Sequence, residues 1–171
     1  MQIVIVEDRP WKLEKSIQNM REEGITVNNI IYVHKHIEIA EPELMQKLQE
    51  LQNHLPGLEI TITDNSAFND TMQTFYNDED NLLLCDLNLS GTEQVLFELR
   101  INVIFARKIM DAEPNNEPSK RIWFYTTAGE TTNEQINVTF PGRNISVITM
   151  EEDQVILDIE EIHEALEINE G

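Results

Sequence analysis

The chain is poor in several residue types, and each shortage excludes something. Its 171 residues include one cysteine, six glycines, six prolines and only 12 lysines and arginines together. A lone Cys85 excludes an intrachain disulfide and any cysteine-rich zinc site. The 12 basic residues face 32 acidic ones, for a net charge of -20. Such a chain repels nucleic-acid backbones and anionic membranes. No stretch approaches the roughly 18 apolar residues of a membrane span. The segment Met1–Asp8 has no basic n-region and too short an apolar run for a signal peptide. A soluble, cytoplasmic protein without nucleic-acid or membrane partners is therefore expected. Hydrophobic residues make up 40% and charged residues 26%, a globular balance. One core and one domain over residues 1–171 are the default at this length.

The pattern along the chain alternates strands and helices. Ile3–Val6, Leu82–Cys85 and Ile122–Tyr125 are continuous apolar runs, as in parallel strands buried on both faces. Val27–Val33 and Ile145–Ile148 read as further strands, and Leu58–Thr63 alternates as a strand with one wet face would. Helical spacing links Leu13, Ile17 and Met20 before Gly24, then Leu44, Leu48, Leu51 and Leu55 before Pro56-Gly57. Asn65 or Ser66 can cap a short helix carrying Phe68, Met72 and Phe75 or Tyr76. A long helix is expected from Thr92 to Ala112, a weakly patterned one over Thr131–Val138, and a last one through Val155, Ile159, Ile162 and Leu166. This order predicts an α/β fold, a three-layer αβα sandwich around a mostly parallel sheet of five or six strands.

In an open parallel sheet the ligand site lies beyond the carboxyl ends of the strands. The residues just past the buried strands are Glu7 and Asp8, then Asp86, then Thr126 and Thr127. Three carboxylates at one edge repel one another unless a cation neutralises them. Oxygen donors of this kind suit Mg²⁺, and a carboxylate there can act as nucleophile toward a phosphoryl group. Thr126 and Thr127 point oppositely in strand geometry, so one of them faces the site. Cys85, directly after Leu82-Leu83-Leu84, reads as a small core hydrophobe. His34, His36, His54 and His163 have no metal-ligand spacing on a helix.

With Glu7-Asp8 ending the first strand, Asp86 in Leu83-Leu84-Cys85-Asp86-Leu87-Asn88-Leu89-Ser90, and Thr127-Ala128 after the fourth, the chain resembles the receiver domain of two-component response regulators. The resemblance implies a flavodoxin-like fold with an inserted segment at about residues 34–63. It implies Mg²⁺ held by Glu7, Asp8, Asp86 and the backbone carbonyl of Asn88, with Asp86 accepting the phosphoryl group and Thr127 contacting it. It also implies a histidine kinase or phosphotransfer protein as partner. Three departures stand out. Ser90 occupies the usual Pro position, Thr149 falls where the family has Lys followed by Pro, and Ser146 lies near the place of the switch aromatic. Thr149 brings a hydrogen-bond donor but no positive charge.

Three functions follow from these residues. The first is a stand-alone atypical receiver, phosphorylated on Asp86, with output through protein contacts. The second is a pseudo-receiver that signals only by binding. The third is a phosphohydrolase of the haloacid-dehalogenase-like type, because Asp86-Leu87-Asn88-Leu89-Ser90 is similar to that family's first motif and Thr126 to its second. Asn88 there replaces the required second Asp, and an amide cannot transfer the proton. The Thr92–Ala112 helix is apolar on more than one face, which implies either cover by the Leu44–Leu55 helix or a homodimer or partner surface. From Asn144 onward there is no Lys or Arg. The acidic last helix is either a solvated face or a surface for a basic partner.

Overall fold

The computed structural model describes residues 1–34, 40–89, 96–113, 118–126, 131–151 and 156–170. Strands and helices alternate in chain order: β1 (Gln2–Glu7), α1 (Glu14–Glu22), β2 (Asn29–Val33), α2 (Glu41–His54), β3 (Glu59–Thr63), α3 (Phe68–Tyr76) and β4 (Asn81–Asp86). Then come α4 (Ile101–Ala112), β5 (Ile122–Thr126), α5 (Thr131–Thr139), β6 (Val147–Glu151), β7 (Ile156–Leu157) and α6 (Ile159–Glu170). The strands form one seven-stranded sheet in the order β3-β2-β1-β4-β5-β6-β7. All neighbours are parallel except β6 and β7, which are antiparallel.

Two hydrophobic clusters fill the two faces of this sheet. Val4 and Val6 of β1 join Leu83, Cys85 and Phe124 in one cluster, with Met72 of α3, Val103 and Ala106 of α4 and Ile136 of α5. Ile3 and Ile5 join Leu82, Leu84 and Trp123 in the other, with Leu13, Ile17 of α1, Leu51 of α2 and Ile162 of α6. Successive residues of a strand point to opposite faces, so continuous apolar runs such as Ile3–Val6 are what a sheet covered on both sides needs. Gly24 ends α1 with φ 79, a left-handed conformation that glycine adopts without steric cost.

The fold corrects the sequence reading at several points. The sheet has seven strands rather than five or six. The missed strand, β7, is two residues long and is anchored by the Leu157 N–H donating to Ser16 Oγ at 3.0 Å. The last helix therefore starts at Ile159, where Asp158 Oδ1 accepts the Glu161 N–H at 3.2 Å. Val155 lies outside the described residues. The fifth strand of the sequence reading, Ile145–Ile148, is displaced to Val147–Glu151.

The expected Thr92–Ala112 helix is interrupted. Residues 90–95 lie outside those described, Phe97–Leu99 form a 3-10 turn, and Arg100 is extended at φ -67, ψ 138 before α4 begins. Nor does α2 cover α4. Leu44 and Leu48 pack with Tyr32, whereas the buried face of α4 joins the cluster on the other side of the sheet. Leu96, Leu99 and Ile104 remain exposed. Before α3, the turn is closed by Asp64 Oδ1, which accepts from Ser66 Oγ at 2.7 Å and from the Ala67 N–H at 2.9 Å. Neither Asn65 nor Ser66 caps that helix.

Candidate functional site

Strand register brings the acidic residues together. Val6 pairs with Cys85, so Glu7 and Asp86 end neighbouring strands, and Asp86 in turn pairs with Tyr125. Carboxylate oxygens of Glu7, Asp8 and Asp86 lie within 4.8 Å of one another. Glu7 and Asp8 are buried, and Asp86 is half-buried. Pro10 starts a 3-10 turn immediately after the pair. Its fixed φ turns the chain back toward α1 at once.

The polar groups of this edge are engaged. Glu7 Oε1 accepts the N–H groups of Asp8 and Arg9, both at 3.1 Å, and Glu7 Oε2 accepts the Tyr125 hydroxyl. Asp86 Oδ1 accepts the Asn88 N–H at 2.9 Å, and the Asp86 carbonyl accepts from Asn102 Nδ2 at 2.6 Å. The Asn88 side chain spans two neighbours. Its Nδ2 donates to Thr126 Oγ1 at 3.0 Å, while its Oδ1 accepts from Arg100 Nη1 at 3.1 Å.

Crowding and burial make the acids here hold their protons more tightly. Burial, then the charges of Asp86 and Asp8, push the Glu7 carboxyl well above its usual range. Asp86 is pushed up to about 6, first by burial and further by Asp8. The Asn88 N–H, the hydrogen bond with Glu7 and the Lys12 charge act in the opposite direction. Tyr125 is pushed upward by burial and by the Glu7 charge, which keeps its hydroxyl a donor. Burial also raises the Cys85 thiol, in keeping with an inert core residue. Two events relieve three close carboxylates: proton uptake or a divalent cation. The donor set is all oxygen and anionic, so its chemistry fits a hard cation such as Mg²⁺. Among the described residues this is the His, Cys, Asp and Glu group able to hold a metal ion.

The other expected site residues fall differently. Thr127, the expected phosphate contact, lies outside the described residues, as do Ser90 and His36. The buried Thr126 is the threonine whose hydroxyl meets the turn after β4. Thr149 pairs in register with Thr126 but is exposed, and its N–H and hydroxyl donate to Glu161 at 2.6 and 3.1 Å. Its hydroxyl is thus spent on α6. His34 Nδ1 lies 2.9 Å from the Tyr32 hydroxyl, and no acidic partner joins it in a metal-holding group among the described residues.

Sequence reasoning missed Tyr125, Arg100 and Asn102. Tyr125 left one signal: a hydroxyl-bearing residue at the carboxyl end of a strand adjoining that of Asp86. Arg100 and Asn102 were hidden inside an apparently continuous helix. No protein-family model matches the chain, and no curated protein or solved structure matches it either. Among the described residues no helix is long and apolar enough to cross a membrane.

Proposed function

We propose that the chain is an atypical receiver-like signalling protein of the cytoplasm, with Asp86 as a Mg²⁺-dependent phosphoryl acceptor. The observation that carries this reading is the meeting of Glu7, Asp8 and Asp86 within 4.8 Å at the carboxyl edge of the sheet. The strand order supports it. The inner strands run β2-β1-β4-β5-β6, which is the flavodoxin-like order 2-1-3-4-5. On this reading β2 is the family's second strand, β3 ends the insertion of about residues 34–63, and β7 is an addition at the other edge. Helices on both faces then make the three-layer αβα sandwich of a single receiver-like domain.

The chemistry follows from the residues. An Asp86 carboxylate oxygen attacks the phosphorus of a phosphohistidine or acyl phosphate donor. A new O–P bond forms while the donor's bond to phosphorus breaks, and the leaving group keeps that electron pair. Glu7, Asp8, Asp86 and the Asn88 carbonyl would hold Mg²⁺, which when bound would supply charge neutralisation for the incoming phosphoryl oxygens. Glu7 must first lose any proton it holds to become a ligand. The Asn88 N–H orients the Asp86 carboxylate. A histidine kinase or phosphotransfer protein supplies the phosphoryl group, and output passes through protein contacts, including self-association through the exposed residues around α4.

A pseudo-receiver that signals by binding alone is the second reading. It is favoured by the neutral Thr149, whose hydroxyl is engaged by Glu161. The two readings separate on incubation with Mg²⁺ and acetyl phosphate, followed by intact mass, or with beryllofluoride, followed by amide NMR. A single phosphoryl adduct lost in Asp86→Asn supports the receiver. No adduct and no metal-dependent shift leave the binding module.

A further inference from the structure

The start of α4 reaches the turn after β4 through three hydrogen bonds. Arg100 Nη1 donates to the Leu87 carbonyl at 3.0 Å and to Asn88 Oδ1 at 3.1 Å. Asn102, only 1% exposed, donates to the Asp86 carbonyl at 2.6 Å. The same Asn88 side chain donates to Thr126 on β5, and its N–H holds the Asp86 carboxylate. Asn88 is thus fixed on three sides, and Arg100 is the cationic group among the described residues that hold it. Arg100 reaches it because its backbone stays extended; its carbonyl already accepts the first helical N–H, from Ile104, at 2.8 Å.

We propose that Arg100 is a positioning residue for the acidic centre: its guanidinium, held on Leu87 and Asn88, keeps the Asp86–Asn88 turn in the geometry that a divalent cation shared with Glu7 and Asp8 requires. The cation in this statement rests on the receiver-like reading, whereas the hold on Asn88 stands without it. The alternative role, a bystander charge, makes the opposite prediction. Removing a positive charge beside three carboxylates tightens cation binding by Coulomb attraction alone. Removing a group that fixes a ligand-bearing turn weakens it, and outer-shell groups of metal sites are typically worth about 10- to 100-fold in affinity.

The test uses the full chain, Mg²⁺ alone as ligand, and ¹H–¹⁵N spectra in which the Asn88 side-chain amide is assigned. Arg100→Gln is expected to weaken Mg²⁺ binding by about tenfold and to move the Asn88 amide resonances to their unstructured positions. Arg100→Lys is expected to restore binding to within about threefold, because an ammonium can still donate to both oxygens. An unchanged or tighter Mg²⁺ affinity in Arg100→Gln overturns the proposal, as do unmoved Asn88 resonances. If the wild-type chain itself binds no Mg²⁺, the metal reading fails. The Asn88 resonances then decide the role of Arg100 alone: displacement in Arg100→Gln with return in Arg100→Lys upholds it, and no displacement overturns it.

Discussion

Removing a carboxylate from the acidic edge should make the metal-free protein more stable. Glu7 and Asp86 both bind protons more tightly folded than unfolded. Their stabilising effect is therefore complete below the unfolded value near 4 and is lost as pH rises through the folded value. For Asp86 that means loss between about pH 4 and its folded value of about 6. The loss amounts to about 3 kcal/mol at neutral pH, because each pH unit between the two values is worth about 1.4 kcal/mol. Glu7 adds to it in the same direction. In Asp86→Asn the amide oxygen can still accept the Asn88 N–H, so the substitution removes charge while keeping that contact. At pH 8 in EDTA the variant should be up to about 3 kcal/mol more stable, roughly 6–12 °C in Tm for a chain of this size. The gain should shrink toward pH 4. Mg²⁺ at about ten times its Kd should return about 1.4 kcal/mol to the wild type and little to the variant. Urea unfolding at pH 4, 6 and 8, with EDTA or with Mg²⁺, measures all of this. An Asp86→Asn protein less stable than wild type at pH 8 in EDTA would refute the account of mutual repulsion and burial.

The remaining expectations are simpler. Tyr125→Phe deletes the hydroxyl that Glu7 Oε2 accepts and should destabilise by about 1–3 kcal/mol, the usual cost of an unmet buried partner; denaturation at pH 8 reads it. Thr149→Val should cost under about 1 kcal/mol, because its partner Glu161 is solvent-accessible, and should leave Mg²⁺ affinity unchanged; a loss of affinity would return Thr149 to the site. Leu84→Ala opens a cavity at a position that is 0% exposed and should cost about 2–5 kcal/mol in urea unfolding. Ile104→Asp, on the exposed side of α4, should change stability by less than about 0.5 kcal/mol while abolishing self-association in sedimentation velocity; a stable monomer in the wild type removes the homodimer.

The local text of the sequence and the assembled sheet contributed different things. Runs such as Ile3–Val6 and Leu82–Cys85 announce strands covered on both faces, and the 3-4 spacing of Leu44, Leu48, Leu51 and Leu55 announces a helix, because side-chain period is a local property. The acids beyond those strands were legible for the same reason. Nothing local could reveal β7. Two residues carry no period, and Ile156–Leu157 is held by Ser16 from the far end of the chain. The break at Arg100 was hidden because apolar residues on either side continue a helical spacing that only the bonds to Leu87 and Asn88 interrupt. Strand order decided which residues meet. Pairing of β1 with β4 and of β4 with β5 set Glu7 beside Asp86 and Tyr125, while α6 drew the Thr149 hydroxyl away. The α/β class with a mostly parallel sheet, the acidic residues and their place at strand ends were written in local pattern alone. Their partners and their raised pKa values came from the assembled sheet, since burial, hydrogen bonding and like-charge repulsion act between residues distant in the chain.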